Sequence, residues 1–206
     1  NKIIMSKITS VVFDLGNVLI DWNPRYLYRK IFKTETEVEW FLENVCDDAW
    51  NTKHDAGQPF SKGISELSSL HPQYSEEIRN WFDRCEEMLG GPLDETVEVL
   101  AELKKKRVPL FILSNWSAET YPKAEAIFDF LHWFDGKIIS GESGKIKPDA
   151  GIYKLLLETY DLGPQNTVFI DDKLANVEAA QDSGIHGIHF QNAAILRNDL
   201  KKLILL

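Results

Sequence analysis

Apolar residues along this chain recur in two rhythms. Short runs rich in β-branched and aromatic residues appear as VVF at 11–13, VPLFIL at 108–113, KII at 137–139, TVFI at 167–170 and HGIHF at 186–190. Runs this short, bounded by turn residues, read as buried strands. Between them, apolar residues return every three or four positions over 93–106, 119–129, 149–160, 172–182 and 193–205, the spacing of amphipathic helices. Strands alternating with such helices imply right-handed crossovers and a parallel sheet covered on both faces. The predicted fold class is α/β, a doubly wound, Rossmann-like parallel sheet.

One connection is out of scale. From Asp14, which closes the first strand, to Val108, which opens the second, the chain runs far beyond the dozen or so residues a crossover needs. Helical patterning, Trp22, Trp40, Trp50 and Trp81, and turn signals at Gly57-Gln58-Pro59 and His71-Pro72 fill this stretch, and Gly90-Gly91-Pro92 ends it. The reading is an α-helical cap over 18–90, inserted into a core made of 1–17 and 91–206. Such a cap overhangs the C-terminal ends of the strands, where open α/β sheets bind ligands.

Composition then limits the partners. At 206 residues, 44% hydrophobic and 27% charged, the chain can bury a sizeable core. A formal net charge of -9 argues against nucleic acid, and the one dense basic run, Lys104 to Arg107, closes a predicted helix, where cations complement the dipole. Cys46 and Cys85 stand far apart without a CxxC or a histidine at metal spacing, as free thiols of a reducing compartment do. The patch Ile3-Ile4-Met5 is too short for a signal core or a membrane span, and no later run approaches 18 apolar residues. The expectation is a cytoplasmic protein with no membrane partner, monomer or homodimer, in which a cap tryptophan serves either core or dimer contact.

Four strand ends carry candidate chemistry: Asp14, Ser114-Asn115, Lys147 in the loop after the third strand, and Asp171-Asp172. Each alone reads as a turn residue, a helix cap or a solvated lysine. Together they converge in this topology, and three adjacent carboxylates are costly unless a cation neutralises them. Oxygen ligands favour Mg²⁺. Lys147 and the metal would keep Asp14 ionised as a nucleophile, and Ser114, followed by amides at a helix start, suits anionic oxygens. A phosphoryl group fits that set.

The stretches FDLGNV, LSN (113–115), GKIKPDAGIY (144–153) and VFIDDKLANVEAA (168–180) resemble, in order, the four motifs of the haloacid dehalogenase superfamily. They are most similar to its small sugar phosphatases and epoxide-hydrolase N-terminal phosphatase domains. The resemblance implies that Asp14 forms an aspartyl-phosphate, Ser114 binds phosphoryl oxygens and Lys147 orients the nucleophile. Asp171 or Asp172, with the carbonyl of Gly16, would hold Mg²⁺, with Asn176 supporting. Asn115, Trp116 and Arg25 are the further substrate-binding candidates. The implied activity is Mg²⁺-dependent hydrolysis of a small phosphorylated metabolite of sugar-phosphate type.

Position 16 departs from the pattern. Most phosphatases of this superfamily carry a second aspartate there, which protonates the leaving alcohol and then activates water; this chain has Gly16. Asp21 could replace it, a good leaving group could dispense with it, or turnover could be lost. The alternatives are a 2-haloacid dehalogenase, with Arg25 or Arg29 as cap arginine and Trp22, Trp116 and Trp133 at the halide, and a non-catalytic phospholigand-binding scaffold. His54, Asp55 and Gln58, beside Gly57, sit where a cap loop would face the site, as weak contact candidates. SGESGK (140–145) lacks both the hydrolase-elbow spacing and the phosphate-loop ending.

Overall fold

The computed structural model describes residues 7–206; the Ile3-Ile4-Met5 patch lies outside the described residues. The chain runs through β1 (Ser10–Phe13), β2 (Ile20–Trp22), α1 (Arg25–Tyr28), α2 (Glu35–Asn44), α3 (Asp48–Asp55), α4 (Phe60–Leu70), α5 (Ser75–Asp83) and β3 (Leu89–Pro92). It continues with α6 (Asp94–Lys105), β4 (Leu110–Ser114), α7 (Tyr121–Ile127), β5 (Gly136–Ile139), α8 (Ser140–Ser143) and α9 (Ala150–Thr159). The last elements are β6 (Thr167–Asp171), α10 (Leu174–Asp182), β7 (His186–His189) and α11 (Ala193–Lys202).

Five strands form a parallel sheet in the order β5-β4-β1-β6-β7, as the continuous apolar runs predict. Successive side chains of β1 point to opposite faces. Val11 and Phe13 pack with Val99, Leu103, Leu196 and Leu200 of α6 and α11, while Val12 joins Ile152, Leu156, Phe169 and Ala180 on the other face. Each such side chain contributes about 1.5–3 kcal/mol on full burial. Every residue of β1, β4 and β6 is buried, so the strand ends that carry the candidate chemistry are anchored in the packed core.

Helices α1–α5 bury a separate apolar cluster that includes Tyr28, Phe41, Trp50, Phe60, Trp81 and Met88. Trp50 and Trp81 are core residues and Trp22 packs against them, whereas Trp40 is 45% exposed. The start of α2 is set by local chemistry: Thr34 accepts from the Glu37 amide and Glu37 reaches back to the Thr34 amide. Where the chain leaves and re-enters the sheet, β2 and β3 pair as an antiparallel ribbon. Strands of three and four residues containing Gly90 and Gly91 leave no apolar run for sequence reading to find.

The helix expected over 119–129 begins at Tyr121, because the preceding loop is held elsewhere. The Trp116 amide donates to Ser140 Oγ at 2.9 Å and the Glu119 amide to Ser117 Oγ at 3.1 Å. Ser114 therefore leads into a loop in which the Trp116 and Glu119 amides are already engaged, and not into a helix start. Among the described residues, no helix is long and apolar enough to cross a membrane.

Candidate active site

Strand register builds the site. Phe13 pairs with Ile170 and, on its other side, with Ile112. The next residues, Asp14 and Asp171, therefore leave adjacent strands side by side, and β4 extends one residue past Leu113 to Ser114. The Asp14 amide donates to the Ile170 carbonyl at 2.9 Å, which holds the backbone of the nucleophile candidate in the sheet.

Lys147 links the two carboxylates. Its Nζ lies 2.9 Å from Asp14 Oδ1 and 2.7 Å from Asp171 Oδ2, and donates to the Leu113 carbonyl at 2.9 Å, so all three ammonium protons have acceptors. Asp171 is fully buried and also accepts from the Lys173 amide at 2.8 Å and from Asn176 Nδ2 at 3.0 and 3.1 Å. The Asn176 carbonyl in turn accepts from the Tyr153 hydroxyl at 2.7 Å. Side-chain oxygens of Asp14, Asp171 and Asp172 all lie within 4.8 Å of one another.

Two of the three acids thus share one buried ammonium, while Lys173 acts on Asp172. Burial pushes Asp14 up to about 7, with Lys147 opposing and Asp171 adding to the rise. Burial also raises Asp172, with the charge of Asp171 next. Burial works against the charge of Lys147, but the two carboxylates outweigh it and hold its pKa above the ordinary lysine value. An all-carboxylate cluster with too little positive charge is a donor set that fits a hard divalent cation.

A cavity of about 190 Å³ opens over these groups, between Asp14, Ser114, Trp116 and Lys147 below and Trp22 of β2, Phe60 of α4 and Trp81 of α5 above. Gly16 lines it, and a Cβ at that position would meet nothing within 4 Å. Glycine at position 16 is not demanded by packing, so the missing carboxylate is a chemical difference. The helices between β2 and β3 are fastened to the rest of the chain through two residues that the sequence does not single out. Glu119 Oε2 accepts from the Phe60 amide at 2.7 Å, and Lys123 Nζ donates to the Phe82 carbonyl at 3.1 Å.

Three candidates are placed differently from expectation. Asp21 turns away on β2: its Oδ2 accepts from the Tyr26 hydroxyl at 2.7 Å and packs against Gly90, outside the cavity lining. Arg25 is likewise outside the lining, donating through Nε and Nη2 to Glu39 at 2.6 Å each. Asn115 lines the cavity, but its side chain donates to the Lys147 carbonyl at 2.9 Å and accepts from the Lys147 amide at 2.8 Å. Its amide group therefore positions Lys147. For the phosphoester hydrolysis expected from the sequence, Asp21→Asn should leave turnover within about threefold of the parent, as for a substitution away from the reacting groups; steady-state kinetics on an alkyl phosphate checks this, and a larger loss would return Asp21 to the site.

The family model described as "Hydrolase: haloacid dehalogenase-like hydrolase" matches residues 8–184, and the chain belongs to that family. A sesquiterpene phosphatase of Aspergillus oryzae is 27% identical over 202 residues, 95% of this chain and 96% of its own length. A phosphorylated carbohydrates phosphatase of Thermotoga maritima is 26% identical over 187 residues, covering 87% and 83%. Among solved structures, a family enzyme of Bacteroides thetaiotaomicron in complex with magnesium and inorganic phosphate superposes with a TM-score of 0.66 at 21% identity, over 90% of this chain and 95% of that one. At that identity the likeness is one of fold.

Proposed function

We propose that the chain is a Mg²⁺-dependent phosphomonoester hydrolase acting on a small phosphorylated metabolite of sugar-phosphate type. The observation that carries this reading is the buried Asp14–Lys147–Asp171 network with Asp172 beside it. Asp14, Asp172 and the Gly16 carbonyl would hold the metal, with Asp171 anchoring Lys147 next to it. Bound there, the ion supplies charge neutralisation to the phosphoryl oxygens.

Asp14 attacks phosphorus, the bond from phosphorus to the ester oxygen breaks, and an aspartyl-phosphate forms that water then hydrolyses. Lys147 keeps the carboxylate oriented through its 2.9 Å contact, and Ser114 faces the transferred group. Trp22 and Trp116 together with Asn17, Asn51 and Thr120 line the cavity with aromatic and polar groups for the alcohol part, a lining suited to a sugar. The two phosphatase relatives support phosphoryl transfer as the reaction. Arg25 and Arg29, paired with Glu39 and Glu35, weigh against a 2-haloacid dehalogenase, which needs an arginine at its substrate carboxylate. Cytoplasmic residence is part of the proposal and is supported by the two free thiols.

The test is phosphate release from a panel of sugar phosphates, an allylic isoprenoid phosphate and an aryl phosphate, with Mg²⁺ and with EDTA. Chelation should lower turnover by about a hundredfold or more. Release of halide from a 2-haloacid without metal would overturn the reading.

A further inference from the structure

We propose that Asp55, at the end of cap helix α3, is the general acid and base that position 16 does not provide. This rests on the phosphatase reading above. Displacement at phosphorus places the leaving oxygen roughly opposite the attacking atom. With Asp14 on the floor of the cavity, the leaving oxygen of the ester points at the cap. A proton donor for it must therefore come from the roof.

Three roof carboxylates line the cavity: Asp48, Asp55 and Glu86. Asp48 is solvent-exposed, and Glu86 pairs with Lys123 at 3.6 Å. Asp55 differs from both. It is half-buried, lines the cavity and accepts from Asn51 Nδ2 at 3.3 Å through one oxygen. It is also the last residue of α3, where the negative end of the helix dipole favours a neutral acid.

The loop carrying Asp55 is held against the core by close packing. Gly57 has φ +102°, and a Cβ there would come 3.2 Å from the Gly141 carbonyl; a Cβ on Gly141 would strike the Ala118 amide at 2.3 Å. The glycine of the SGESGK stretch thus brings the cap loop onto the segment after Ser114. His54 stiffens the loop from the other side: it is buried, stacks on Phe60 at 4.0 Å and pairs through Nδ1 with the Gln58 carbonyl at 2.9 Å. Burial lowers its pKa, so at neutral pH Nδ1–H donates to that carbonyl. Burial pushes the Asp55 carboxyl up to about 7, with Lys173 opposing, Asp48 adding, and the Ser117 amide and Lys147 opposing. Near neutrality both protonation states are populated, as alternating acid and base duty requires.

In the first step Asp14 bonds to phosphorus, the phosphorus–oxygen bond breaks, and the departing oxygen takes the Asp55 proton, releasing neutral alcohol. In the second, the Asp55 carboxylate takes a proton from water as its oxygen attacks phosphorus. Phosphate leaves, Asp14 is regenerated as carboxylate, and Asp55 is again protonated.

The experiment compares the parent with Asp55→Asn, which keeps side-chain size, using an alkyl phosphate and 4-nitrophenyl phosphate in Mg²⁺. Asp55→Asn should lower alkyl phosphate turnover by about 10²–10⁴-fold. With the aryl ester, whose leaving group needs no proton, it should give a rapid burst of one nitrophenolate per chain followed by slow turnover. The burst also shows that the variant is folded and its nucleophile competent. Turnover of both esters within threefold of the parent would overturn the assignment, and so would loss of the burst together with turnover, which makes Asp55 structural. A parent protein without Asp14-dependent turnover would instead overturn the phosphatase reading, and this assignment with it.

Discussion

Asp14→Asn is expected to lower turnover by at least about 10⁴-fold, the scale of removing an attacking group, without unfolding the protein. An amide cannot form the aspartyl-phosphate, and nothing else in the cavity offers a carboxylate held by a buried lysine. The fold should persist because Lys147 keeps its 2.7 Å partner in Asp171, leaving a balanced buried pair. The substitution should also change how stability depends on pH in the presence of chelator. Burial, opposed by Lys147, holds Asp14 near 7 when folded, against an ordinary value of 3.8. Its favourable contribution is therefore complete below about pH 4 and is lost as pH rises through about 7. Asn carries no such dependence, so the stability of Asp14→Asn relative to the parent should rise between pH 4 and 7. Denaturant unfolding at several pH values in EDTA measures this. A constant difference would mean that Asp14 stays ionised throughout, on Lys147 alone.

The parallel sheet was legible because strands buried on both faces need continuous apolar runs, and these stand out between amphipathic helices. The chemistry at strand ends was legible for a related reason: parallel register makes neighbours of residues that close adjacent strands, as with Asp14 and Asp171. Residues chosen by closeness in sequence fared worse. After Asp14 the chain turns sharply, with Asn17 at φ 58° and the Leu15 carbonyl accepting from the Leu19 and Ile20 amides. That turn carries Asp21 onto the ribbon and into the grasp of Tyr26. Arg25 has a carboxylate partner on α2, which no spacing rule reveals. Asp55 shows the converse. Its place in the cavity lining depends on the loop at Gly57 packing on the Gly141 carbonyl, which no spacing rule reveals.

Lys147→Met should be the most destabilising single change at the site. Losing one partner of a buried ion pair costs about 3–5 kcal/mol, because the charges left behind are stranded away from water. Here two would be stranded, Asp14 and Asp171, adjacent and both buried. Lys147 itself titrates above the ordinary lysine value, so its own ionisation adds no slope near neutrality. The slope in the variant comes from Asp14: without the opposing ammonium its carboxylate is driven further to take up a proton, so the penalty should be smaller at pH 5 than at pH 8. Added Mg²⁺ should recover more stability in the variant than in the parent, since the cation replaces the lost ammonium as counter-charge to Asp14 and Asp171. Turnover should remain lost even at saturating Mg²⁺, because a metal at the acids does not replace the 2.9 Å contact that orients Asp14. Thermal unfolding at the two pH values, with Mg²⁺ and with EDTA, separates these effects. A penalty independent of pH and equal metal responses in both proteins would mean that Lys147 stabilises by packing alone, and that the acid cluster is not a cation site.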